Sequence, residues 1–124
     1  MELRFLKVAV IYLVIGATLG LGMGISGKFT LTPVHAHLLL LGWASLAIAG
    51  LVYHWYPAAA LTRLARAHFW LHNIGLPGFM IGLALLLTGN PWAMPLAAGS
   101  ATLVLVGLAL FAANVLINVK ARAA

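Results

Sequence analysis

Two histidines one residue apart, His35 and His37, stand at the start of an apolar run, Val34-His35-Ala36-His37-Leu38-Leu39-Leu40-Leu41-Gly42-Trp43. Three more follow: His54, then His68 and His72 four residues apart. Imidazole is a common ligand for transition metals and one of the axial ligands of haem iron. In a hydrocarbon medium an ionisable side chain costs free energy, which makes it a functional candidate by default. The chemistry these residues point to is therefore coordination: haem b on the first pair, or copper or zinc on the later three. Other chemistries are closed off. Glu2 is the only acidic residue and there is no cysteine, which excludes carboxylate acid–base catalysis, thiolate ligation and disulfides. No nucleophile stands with a matching base.

The medium follows from composition. The chain has 124 residues, 65% hydrophobic and 6% charged, where soluble domains carry about 25% charged residues. So few charges cannot cover that much apolar surface in water, so the solvent is lipid. The net charge of +6 comes from basic residues spread over helix ends. With no groove-reading motif beside them, they fit anionic headgroups rather than nucleic acid.

The positioning elements are four transmembrane helices in one all-α domain. Span one is expected at 8–25; its apolar run is longer than the roughly 7–15 residues of a cleaved signal segment. Thr32 as N-cap and Pro33 as first helical residue open span two, expected at 33–56, which Pro57 stops. Residues 58–66 read as a connector. Span three is expected at 67–87, Gly89-Asn90-Pro91 as a turn, and span four at 94–119. Arg4, Lys7, Arg63, Arg66, Lys120 and Arg122 then share one side and Lys28 alone takes the other. The positive-inside rule makes both termini cytoplasmic. Tyr53, Trp55 and Tyr56 read as interface aromatics, and Asn114 and Asn118 as polar glue between helices. Gly16, Gly20 and Gly24, with Gly78 and Gly82, form small-residue faces that suit a homo-oligomer seam or packing inside the bundle.

Depth sorts the histidines. With about 1.5 Å of rise per residue, His37 falls roughly 12 Å above the midplane and His72 roughly 9 Å below it. A gap on the order of 20 Å keeps them from sharing one iron in one subunit. His37, a turn inside the helix, is the first candidate for the haem iron. His35, about 200° around the helix, is the second, with an interfacial role bonded to water, headgroups or a loop carbonyl as its alternative. Met23 and Met94 lie at a depth to supply a thioether opposite His37; a two-fold axis would supply a second His37 instead. His54, His68 and His72 make an inner cluster for a second haem, copper or zinc, with an interfacial place as the alternative for His54 and His68. Pro77 removes the helical bond to the Asn73 carbonyl, so that carbonyl and the Asn73 amide are candidates to steady a ring nitrogen or a haem propionate.

These stretches resemble subunit I of the haem–copper oxidase superfamily, including nitric oxide reductases and cbb3-type oxidases. The resemblance covers the family's first four helices. Ala36-His37 followed by Leu38 to Leu41 is similar to the second-helix segment whose histidine ligates the low-spin haem; a register slip brings in His35. Arg63-Leu64 followed by Phe69-Trp70-Leu71 is similar to the start of the third helix. The family's copper-binding histidines lie in later helices that have no counterpart here, so oxygen reduction at a binuclear site is not implied. A secondary resemblance is to the small NnrS-type membrane proteins, which also carry an HxH segment at a helix start. The expectation is a b-type haem protein of a bacterial inner membrane, homo-oligomeric, carrying electrons or binding a small gas, with a redox protein or quinone as partner; the alternatives are a copper- or zinc-binding membrane protein using the inner histidines and a cofactor-free structural or assembly subunit.

Overall fold

The computed structural model describes residues 1–123, and among them there is no strand. Four helices are long and apolar enough to cross a membrane: span one (Glu2–Ser26), span two (Thr32–Trp55), span three (Arg63–Leu87) and span four, whose α-helix is Met94–Asn118. Span one has 25 residues, about 37 Å at ~1.5 Å of rise, against roughly 30 Å of hydrocarbon. The protein is an integral membrane four-helix bundle.

The ends follow local chemistry. Span one begins six residues before Val8 because Arg4 and Lys7 prolong the helix, exposed, while Phe5 and Ala9 turn to the core. It stops at Gly27, whose φ of 68° suits glycine and lets its N–H reach the Met23 carbonyl. Thr32 does not cap span two. It is the first helical residue, with Leu31 at the cap, because its hydroxyl donates to the Phe29 carbonyl at 2.7 Å in the preceding turn. Tyr56, forced from helical angles by Pro57, ends span two. The connector contains a short helix, Pro57–Ala60. Thr62 then caps span three, its Oγ1 accepting from the Ala65 N–H at 3.1 Å. Gly89 (φ 93°) and a 3-10 turn at Pro91–Ala93 lead into span four.

The spans pair as two hairpins, one with two and three with four, joined more sparsely to each other. Lipid tails are as apolar as leucine, so close packing and interhelical hydrogen bonds must hold the hairpins together. Small residues allow that closeness. A Cβ on Gly16 would stand 2.8 Å from Leu39 Cδ2, and one on Gly82 would stand 2.7 Å from the Ala97 nitrogen. Gly20 and Gly78 are likewise filled from inside the chain, by His35 and Ser100, whereas Gly24 faces open space. At the end that carries both termini (the inner end below), Phe5, Leu46, Tyr53, Ala65 and Phe69 form one core cluster. At the loop end Val34, Leu38, Leu76, Met80 and Val104 form another.

Span two is not α-helical throughout. Leu38–Ala44 is a π-helix of seven residues, set between α-helical Thr32–His37 and Ser45–Trp55. The wider turn has visible supports. Gly42 gives its missing side chain's space to the Tyr12 ring, which a Cβ would meet at 2.6 Å. The Ser45 hydroxyl donates to the Leu40 carbonyl at 2.7 Å, and the Leu41 carbonyl accepts from His72. π segments are frequent at functional sites, and this one lies between the two groups of histidines.

Candidate functional site

His35 and His37 leave the same helix start in different directions. His35 turns to span one, its Nδ1 2.8 Å from the Gly16 carbonyl oxygen and its ring lying over Gly20. It is half-buried, and the carbonyl it meets belongs to span one rather than to a loop. A carbonyl only accepts, so Nδ1 carries the proton and Nε2 keeps its lone pair. His37 turns toward span three, its ring edge-on to Phe79 with centroids 5.0 Å apart. Its Nδ1 donates to the Pro33 carbonyl at 2.7 Å, one turn back on its own helix. Nε2 of His37 is again the free lone pair, held in direction by the bond on the other nitrogen.

The depths differ from those expected. His72 Nε2 donates to the Leu41 carbonyl at 2.8 Å, which puts His72 level with the π segment rather than near the inner face. His37 is one turn above Leu41, about 6 Å, and its neighbour Phe79 lies seven residues beyond His72, about 10 Å along span three. The separation is thus roughly half the expected 20 Å. Part of the difference is that span three starts at Arg63 rather than at 67, which moves its centre about 3 Å toward His72.

The inner histidines divide. His54 is exposed and lines a lateral groove with Glu2, Leu6 and Gly50. His68 and His72 are 1% and 0% exposed, so His68 is a core residue and not an interfacial one. Among the described residues no three ligating side chains converge, and the expected triad reduces to a pair. His68 and His72 lie one turn apart on span three with ring centroids at 5.5 Å. Phe111 stacks on His68 at 5.0 Å and Phe5 tilts against it at 4.9 Å. Tyr53 Oη lies 3.2 Å from His68 Nδ1. Tyr53 itself is fully buried, which corrects its reading as an interface aromatic. Its place was legible, because Leu46, Gly50 and Tyr53 recur at the spacing of one helix face. Among the described residues, His68 Nε2 and His72 Nδ1 are buried and find no hydrogen-bond partner.

The remaining candidates scatter. Met23 is buried with its sulfur 4.0 Å from Thr32 Oγ1, while Met94 is 55% exposed at the start of span four. Asn73 spends its amide N–H on the Phe69 carbonyl at 2.7 Å within its own helix, leaving Oδ1 buried and unpaired. Asn114 is buried and joins span four to the connector, its Nδ2 donating to the Ala59 carbonyl at 3.0 Å; Asn118 donates to Asn114 Oδ1 at 2.8 Å. Compared with protein-family models, curated proteins and solved structures, the chain matches none of them.

Proposed function

We propose that this protein is a small b-type haem protein of a bacterial inner membrane, with His37 as an axial ligand of the iron. The observation that carries the reading is the 2.7 Å bond from His37 Nδ1 to the Pro33 carbonyl. Metal-bound histidines nearly always donate their other ring N–H to an oxygen, which fixes the tautomer and raises ligand basicity. Here that arrangement stands ready on a half-buried ring one turn inside a membrane helix. Side chains fill the loop-end interior, where Leu76 is fully buried and Val104 is 2% exposed. His37, on the face of span two that meets span three at Phe79, would hold the haem at the flank of the bundle rather than in its filled interior. A second copy across a two-fold axis would add a second His37 and cover the other porphyrin face. Bound haem would supply one-electron chemistry when both axial positions are filled, and gas binding when one is open.

The test is a visible spectrum with haem extraction on protein purified from haem-replete cells. Expected are b-type bands, lost in His37→Ala and mostly kept in His35→Ala. Colourless folded protein, or full haem in His37→Ala, overturns the reading. Carbon monoxide then separates the two roles: an unshifted reduced spectrum identifies electron transfer, and a shift identifies gas binding.

A further inference from the structure

We propose a second, independent metal site at the inner end of the bundle: a single cuprous ion held between His68 Nε2 and His72 Nδ1. Both nitrogens are buried in side chains that are 1% and 0% exposed, and neither has a partner among the described residues. An unpaired polar atom in a dry interior costs free energy comparable to a lost hydrogen bond, so each such atom calls for an explanation. A metal would explain both atoms together.

The tautomers suit ligation. His72 donates from Nε2 to the Leu41 carbonyl, so its lone pair is on Nδ1, the unpartnered atom. The bond between His68 Nδ1 and Tyr53 Oη, 3.2 Å apart, can run either way; with the proton on Nδ1, His68 keeps its lone pair on Nε2, again the unpartnered atom. Each ring is thus oriented through its other nitrogen, as metal-bound imidazoles are. The rings sit one helical turn apart, their centroids separated by 5.5 Å. A linear bridge needs the two nitrogens about 4 Å apart, twice a metal–imidazole bond of roughly 2.0 Å.

Charge selects the ion. No carboxylate or thiolate adjoins the pair; the only acidic residue, Glu2, lies at the chain's start and pairs with the terminal amine at 3.2 Å. The Born cost of burying an ion rises with the square of its charge, so a dication with neutral ligands alone is penalised about four-fold over a monocation. Zinc, moreover, takes four ligands in structural sites and at least three protein ligands in catalytic ones. Two neutral imidazoles buried among aromatic side chains suit a monovalent ion that accepts two ligands, and imidazole is a copper ligand. The Phe5 and Phe111 rings pack against His68, with centroids 4.9 and 5.0 Å away.

The experiment titrates Cu(I), released from a coloured chelator under reducing conditions, into detergent-solubilised protein freed of metal. Expected are one ion per chain and an X-ray absorption spectrum with two nitrogen neighbours. His68→Ala and His72→Ala should lose the ion. Tyr53→Phe, which removes the oxygen facing His68 Nδ1, should weaken binding by about 10- to 100-fold, while His54→Ala should leave it unchanged. Circular dichroism confirms that each variant is folded; if the alanine variants unfold, His72→Gln and Tyr53→Phe carry the test. Haem content is read in parallel, and the His68 variants should retain whatever haem the parent holds. Failure of the copper site is thereby separable from failure of the His37 proposal. No uptake by folded parent protein, uptake unchanged in every His68 and His72 variant, or a bridging water alone between the two nitrogens overturns the inference.

Discussion

At the residue scale, space counts as much as donor chemistry. His35 reaches the Gly16 carbonyl only because Gly20 has no side chain; a Cβ there would lie 2.6 Å from the His35 ring. Gly24, on the same sequence pattern, meets nothing within 4 Å. Gly20→Ala should therefore cost about 1–3 kcal/mol, the usual range for overpacking. Gly24→Ala should be neutral or stabilise by up to about 1 kcal/mol, the helix propensity difference. Unfolding in mixed detergent micelles measures both, and equal effects at the two positions would show that the G-x-x-x-G pattern acts as a unit rather than through the single contact at Gly20. The spacing of these glycines was readable from the chain, but the partner of each one was not. Period four marks a face, and only the hairpin geometry shows that His35 and Leu39 of span two fill it.

At the scale of elements, the π segment is the feature that sequence reasoning passed over. Nothing in Leu38-Leu39-Leu40-Leu41-Gly42-Trp43-Ala44 breaks an α-helical pattern, because apolar side chains suit lipid at any angular position. Its supports come from elsewhere in the chain: Tyr12 on span one fills the space beside Gly42, and His72 on span three takes the Leu41 carbonyl. The helix ends were more legible, since Gly27, Pro57 and Gly89 act through their own backbones. Thr32 was misread because its hydroxyl donates backward to the Phe29 carbonyl, whereas that of Thr62 accepts the Ala65 N–H as a cap does. A buried side-chain hydrogen bond contributes about 1 kcal/mol, and a change of 1.4 kcal/mol is tenfold in an equilibrium. His72→Leu, with no metal present, should therefore speed amide hydrogen exchange at residues 42–46 by about five- to tenfold, with little change in span four. Unaltered exchange in that window would mean that His72 does not hold the π turn in place.

At the scale of the whole molecule, charge and packing point to one arrangement in the membrane. The four spans return the chain to its starting side, so Arg4, Lys7, Arg63, Arg66, Lys120 and Arg122 gather at one end and Lys28 stands at the other. Arg122 closes that end, donating to the Trp55 carbonyl at 2.7 Å with its guanidinium 5.6 Å from the Trp55 ring centre. The bundle class was written in the composition, whereas the pairing of hairpins depends on Tyr53, His68 and Asn114, whose burial no hydropathy average reveals. Because the chain has no cysteine, single introduced thiols report orientation cleanly. Lys28→Cys should react with a membrane-impermeant maleimide added to intact cells, as the positive-inside rule requires. Arg66→Cys should react only after the membrane is opened. The reverse pattern would place the His35–His37 end in the cytoplasm and overturn the orientation read from the basic residues.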